Sequence, residues 1–279
     1  MSLMSASVGL KSATAVGERP WVGGSLPQAW NLADGLAVDV LTATIDVRSS
    51  TGEIERSSVV GVSESALFAA SPWRTFRWYE GQRHYSGSYW AATEASHVVY
   101  ESRLELSALL MADFDPTVLK IVAQPFLLQA VVNGHRRRHI PDYLLRTTTG
   151  LVVVDVVRAR RLAEDPAAGE LCSWTREVVN SLGWEYRVCS EPPAVLMRNI
   201  RFLAGYRRSR YISRDTLREI RFRRRELFGL RFDDALRVLD RAGARPVVCS
   251  ALLHTLWNHE FSIDLERPLR PCSVIGGSR

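Results

Sequence analysis

Three carboxylates stand where a pair of strands and a helix could gather them. Asp142 follows Pro141 in the run HIPDYLL, and Asp155 interrupts the β-branched run LVVVDVV thirteen residues later. Glu105 lies upstream in a helix-patterned stretch, with Glu101 one turn before it. A carboxylate inside an apolar strand needs a partner or a metal. Two neighbouring carboxylates raise each other's pKa and require a cation to stay ionised. Mg²⁺, for which Mn²⁺ can substitute, takes one or two carboxylates together with waters and phosphate oxygens. It then polarises a phosphoryl group and lowers the pKa of bound water. The set Glu105, Asp142 and Asp155 therefore reads as a metal site for phosphodiester hydrolysis. The competing reading pairs Asp155 with an arginine such as Arg160.

The elements that must position these acids follow from periodicity. Glu101 to Asp113 is an amphipathic helix, with Leu104, Ala108 and Met111 at helical spacing. Asp115-Pro116 ends it. Val118 to Val132 is strand-like around a Gln124-Pro125 break, and Asn133-Gly134 is a hairpin turn. His139 to Leu145 makes the next strand, Thr147 to Gly150 a turn, and Leu151 to Val157 a buried central strand. Ala163 to Leu182 is helical, and Trp184 to Cys189 is a last strand. The order is helix, strand, hairpin, strand, helix, strand. Upstream, Val38 to Val47 and Ile54 to Val62 form a hairpin. The aromatic, basic stretch Pro72 to Trp90 is either a base-stacking platform or a hairpin packed on the core.

Composition bounds the rest. With 279 residues and a formal net charge of +6, the chain can hold one large or two modest domains, and a polyanionic partner is permitted. Only two lysines occur, Lys11 and Lys120. No apolar run is long enough to cross a membrane, and no secretory signal is evident, so a cytoplasmic location is expected. Cys172, Cys189, Cys249 and Cys272 form no CxxC pair and read as small core residues. Residues 1–36 read as a mobile arm, 37–192 as the catalytic domain, and 193–279 as an arginine-rich helical module. In that module Arg221, Arg223, Arg224 and Arg225 are candidates for contact with DNA or a protein partner. Phe232 to Ala242, then Pro246 to Asn258, then Phe261 to Leu265 give helix, turn, helix, strand, the outline of a winged helix. His254 and His259 read as packing or surface residues.

Pro141-Asp142, then Asp155-Val156-Val157, resembles the PD-(D/E)xK nuclease motif. The longer stretch YESRLELSALLMADFDPTVLKIVAQPF, then HIPDYLL and VVVD, resembles the TnsA-like endonuclease subunits of heteromeric transposases, over roughly residues 70–190. The resemblance implies an α/β fold, a restriction-endonuclease-like mixed sheet flanked by helices. It implies Mg²⁺-dependent cleavage at the 5′ ends of a transposon in double-stranded DNA. A DDE-type transposase would cut the 3′ ends, and an AAA+ ATPase would regulate the pair. It assigns Glu105, Asp142 and Asp155 to the metal, with Glu101 as the alternative helical acid, and places Gln124 near the site. One departure stands out: Val157 occupies the position of the motif lysine. Arg160 is expected to compensate, ahead of Arg158. The alternatives are a degenerate domain kept for DNA binding or assembly, and a stand-alone nuclease of restriction or repair type.

Overall fold

The computed structural model describes residues 35–74 and 85–277. All but the end of the expected N-terminal arm therefore lies outside the described residues. The architecture is mixed α/β. One four-stranded antiparallel sheet runs β2 (Ile54–Ser58), β1 (Val38–Arg48), β6 (Leu127–Val132), β7 (His135–His139). The other runs β10 (Glu185–Cys189), β9 (Gly150–Val156), β8 (Tyr143–Thr147), β5 (Val118–Ala123). In this second sheet β5, β8 and β9 are antiparallel, and β10 is parallel to β9. A parallel neighbour requires a crossover connection. Here the crossover is α3 (Ala159–Glu164) followed by α4 (Pro166–Ser181).

Two expected strands are each split between the sheets. The run 118–132 becomes β5 in one sheet and β6 in the other, broken at Gln124-Pro125. The strand expected from His139 to Leu145 is likewise broken: β7 ends at His139 and β8 begins at Tyr143, on either side of Pro141. Proline has no N–H for the ladder, so each break falls where the chain leaves one sheet for the next. The crossings lie side by side, since the Gln124 N–H donates to the Asp142 carbonyl at 2.9 Å. Asp142 thus sits at a sheet end, outside any strand. The helix expected over 163–182 is also two, because Asp165 caps α4 through the Ala167 N–H and Pro166 takes its first turn.

Side-chain alternation on β9 divides the core. Val152 and Val154, with Val156 beside them, face α2 (Arg103–Phe114). Val153 and Val157 face α4, with Cys172, Trp174 and Val178. The C-terminal helices α5 (Ala194–Leu203), α6 (Arg214–Phe222), α7 (Arg224–Leu227), α8 (Phe232–Val238) and α9 (Arg245–Trp257) share the α2-side core. Composition changes near residue 193, but the apolar core runs through that point. His259 ties the two parts together by donating from Nε2 to the Phe114 carbonyl at 2.5 Å.

Where helix, turn, helix, strand was expected, α8 and α9 are followed by a two-residue β11 (Phe261–Ser262), shorter than the expected 261–265, paired with β12 (Gly276–Gly277). However, α9 is buried from Ala251 through Trp257. That length cannot lie in a DNA groove as a reading helix. Among the described residues no helix is long and apolar enough to cross a membrane.

Candidate functional site

The acids are positioned by the start of α2 and by the two proline breaks. Ser102 caps α2, its Oγ accepting the Glu105 N–H at 3.1 Å. Glu105 answers by accepting the Ser102 hydroxyl at 2.9 Å and the Glu101 N–H at 2.6 Å. This is a capping box, shifted by one donor. Glu105 therefore holds the helix entry as well as facing the sheet end. Burial pushes its carboxyl pKa up, and the charge of Glu101 adds to that.

Gln124 is the clamp beneath these acids. It is 4% exposed and has φ of 48°, a left-handed conformation uncommon for a residue with a side chain. Its amide Nε2 donates to Glu101 at 2.8 Å, and its Oε1 accepts the Arg74 N–H at 2.8 Å. Arg74 in turn ion-pairs Glu101 at 2.6 Å. The sequence motif Gln-Pro marked this residue, but its role comes from partners distant in sequence. Gln124→Asn should keep the left-handed backbone, which asparagine tolerates, while its shorter amide cannot reach both partners. Losing buried hydrogen bonds of this kind costs about 1–3 kcal/mol, and urea unfolding should show a loss on that scale.

Asp142 accepts the Val156 N–H on Oδ2 at 2.7 Å, at the C-terminal end of β9. Burial raises its pKa well above the usual carboxylate range, and the charges of Asp155, Glu105 and Glu101 raise it further. Glu105, Glu101 and Asp142 thus form one acidic group at the sheet end.

Asp155 is close to this group but turned away from it. It is 2% exposed and accepts hydrogen bonds from His139 Nε2 at 2.7 Å and from the Tyr186 hydroxyl at 2.5 Å. Tyr186 and Cys172 place it on the α4 face, while Glu105 belongs to the α2 side. These donors satisfy Asp155, yet of the neighbouring carboxylates it acts most strongly on Asp142, ahead of Glu105. Among the described residues no three of His, Cys, Asp and Glu converge as metal ligands. The sequence missed His139, which reaches across from the other sheet, and Tyr186, which lies on the neighbouring strand β10 thirty-one residues further on.

Arg160 does not reach the acids. It lies on α3, its side chain 84% exposed, and ion-pairs Glu164 at 2.8 Å. Arg158 precedes α3 and faces Glu191 at 3.8 Å. Val157 packs on the α4 side, so the β9 position facing the acids is Val156.

Most of the candidate arginines of the C-terminal module have internal partners. Arg221 makes a two-pronged pair with Glu260, both hydrogen bonds at 2.8 Å. Arg223 pairs Glu219 at 3.2 Å and donates to the Val238 carbonyl. Arg224 lies over Phe228 and Phe261. Arg225 is exposed. In the aromatic stretch, residues 75–84 lie outside the described residues. Beyond them, Tyr89 and Trp90 belong to the hairpin β3 (Gly87–Ala91) and β4 (Ser96–Tyr100). Tyr89 donates to Asp113, and Arg207 and Arg208 cover the two rings, so neither is a free stacking surface. Cys172 and Cys189 are buried as expected, whereas Cys272 is exposed. His254 is a packing residue, its Nδ1 donating to the Tyr206 carbonyl. No family model and no curated protein matches the chain.

Proposed function

We propose that the chain is a metal-dependent DNA endonuclease subunit of a heteromeric cut-and-paste transposase, with its divalent ion held by Asp142 and Glu105. The sheet order β10-β9-β8-β5, with α2 on one face and α4 on the other, supports a restriction-endonuclease-like core. The observation that carries the reading is the buried pair itself. Asp142 and Glu105 are both driven toward protonation by burial and by neighbouring negative charge. Arg74, whose positive charge reaches Glu105, is engaged by Glu101.

Two carboxylates suit Mg²⁺, which needs only one or two from the protein. The donor set therefore fits the ion without Asp155. Bound there, the ion would supply Lewis-acid polarisation of a phosphate oxygen and a more acidic water. The chain's own part is positioning. Ser102 and the Glu101 amide orient Glu105, the Val156 amide orients Asp142, and Gln124 joins the two segments. Double-stranded transposon ends would be the substrate, with a DDE-type transposase and an AAA+ ATPase as partners.

A second reading has its own support. Val154 and Val156 present apolar side chains where a basic residue would serve, and Asp155 is occupied by His139 and Tyr186. On that reading the domain binds DNA or assembles the complex without cutting.

Thermal unfolding with and without Mg²⁺ or Mn²⁺, alongside 5′-end cleavage with the partner transposase, separates the two readings. A ligand at 100 times its Kd stabilises the fold by about 2.7 kcal/mol. A metal-dependent rise in melting temperature that Glu105→Gln diminishes, accompanied by cleavage, is the expected result. Metal-independent melting and no cleavage would leave the assembly reading. Cleavage without the transposase would point to a stand-alone nuclease.

A further inference from the structure

Immediately before the acidic group, the sequence His135-Arg136-Arg137-Arg138-His139 forms β7, the edge strand of its sheet. Its first four residues are exposed. Arg137 is directed toward α4 and ion-pairs Glu170 at 3.1 Å. Arg136 and Arg138 lie opposite Val131 and Gln129 of β6, on the other face. Their side chains are roughly 6 to 7 Å apart along the strand. Asp46 on that face is already bound by Arg56 at 2.7 Å and by Gln129 at 2.9 Å. Among the described residues neither Arg136 nor Arg138 has a carboxylate partner.

We propose that β7 is the track on which the DNA backbone lies, with Arg136 and Arg138 holding phosphates and guiding the duplex to Asp142. This rests on the nuclease-type reading of the acidic group. Arginine matches phosphate with a planar pair of donors. The direction of the strand also fits. The chain runs from Arg138 through His139 and Pro141 to Asp142, so a backbone held by β7 arrives at the acids within one short stretch. Charge on an edge strand also prevents unwanted strand pairing, but that role alone would not require arginines on both faces next to a phosphoryl-directed site. By contrast, Arg221 and Arg223 of the C-terminal module are committed to Glu260 and Glu219.

The test is binding of a DNA duplex of arbitrary sequence, measured by fluorescence anisotropy without divalent ions over a series of salt concentrations. Phosphates carry no sequence information, so any duplex serves. The double substitution Arg136→Gln, Arg138→Gln should weaken binding and make the log–log salt slope shallower by about 0.9 for each phosphate that is no longer neutralised. Arg136→Lys with Arg138→Lys should retain most of the slope, which guards against misfolding as the cause. Unchanged affinity and slope in the glutamine variant would overturn the proposal, as would equally tight, equally arginine-dependent binding of poly-glutamate. Asp142→Asn should bind the duplex at least as well as the wild type. Arginine-dependent binding by a chain that never cuts would leave this track standing while the endonuclease reading fails.

Discussion

Asp142→Asn should abolish metal-dependent 5′-end cleavage and, without metal, should make the fold more stable at neutral pH. The two effects have one cause. Asp142 is buried at the sheet end beside Asp155, Glu105 and Glu101, and its folded pKa lies above its unfolded value. An acid shifted in this direction binds its proton more tightly when folded, so the folded state is favoured at low pH. That contribution is complete below the unfolded value of about 4 and is lost as pH rises through the higher folded value. Above that point the ionised carboxylate remains a standing cost. Glu105 is shifted in the same direction and adds to the same window. Asparagine keeps an oxygen for the Val156 N–H and removes the charge, so the variant should gain about 1 kcal/mol at pH 7, the ordinary scale of a point change. Its advantage should shrink below pH 4. Cleavage should fall by about 10² to 10³ or more, as when one preorganised electrostatic group is removed. Guanidinium unfolding at pH 4 and pH 7, with cleavage assayed in parallel, reads both effects. A variant that cuts normally would remove Asp142 from the site, and one that is less stable at pH 7 would show that its charge is already compensated.

Much of the frame was legible because it is written locally. The β-branched run of β9, the Asn133-Gly134 turn and the helical spacing of Leu104, Ala108 and Met111 each state their structure within a few residues. The order of elements through β10 followed from them. The exchange of strands between sheets was not legible. Pro125 and Pro141 read as interruptions within strands, and only packing reveals that the chain changes sheets at each. The same limit governed the site. Alternation along β9 puts Asp155 on the face of Val153 and Val157, but which face looks toward Glu105 depends on where α2 packs. His139 and Tyr186 meet Asp155 across sixteen and thirty-one residues. A buried acid could be foreseen to need a partner, though not which one. Arg160 is near the acids in sequence, but the turn into α3 carries it outward to Glu164. The arginine run of α6 and α7 is dense in charge, yet Arg218, Arg221 and Arg223 pair with acids of their own module.

Val156→Lys should raise cleavage, and Val157→Lys should not. Val157, at the place of the motif lysine, packs with the α4-side core, so a lysine there would extend away from Glu105 and toward the side of Trp174. Val156 faces the α2 side and is half-buried, and its own amide already holds Asp142. An ammonium at that position would stand beside two carboxylates whose ionisation is opposed by burial and by neighbouring negative charge. It would favour their charged forms, since a nearby opposite charge does so directly. It would also offer three donors to a phosphate oxygen. A preorganised group that stabilises developing charge is commonly worth about 10² to 10³ in rate, so the gain should be sought on that scale. Stability should diverge too. Val156→Lys should melt at or above the wild type at pH 7, because its charge is paired. Val157→Lys should melt lower, because it carries a charge toward an apolar cluster. The comparison needs only the two variants, Mg²⁺, end DNA and the partner transposase. Activation by Val157→Lys alone would mean that the working face of β9 is the one bearing Asp155. Activation by neither, with Asp142→Asn still abolishing cleavage, would mean that the missing cation does not limit the rate.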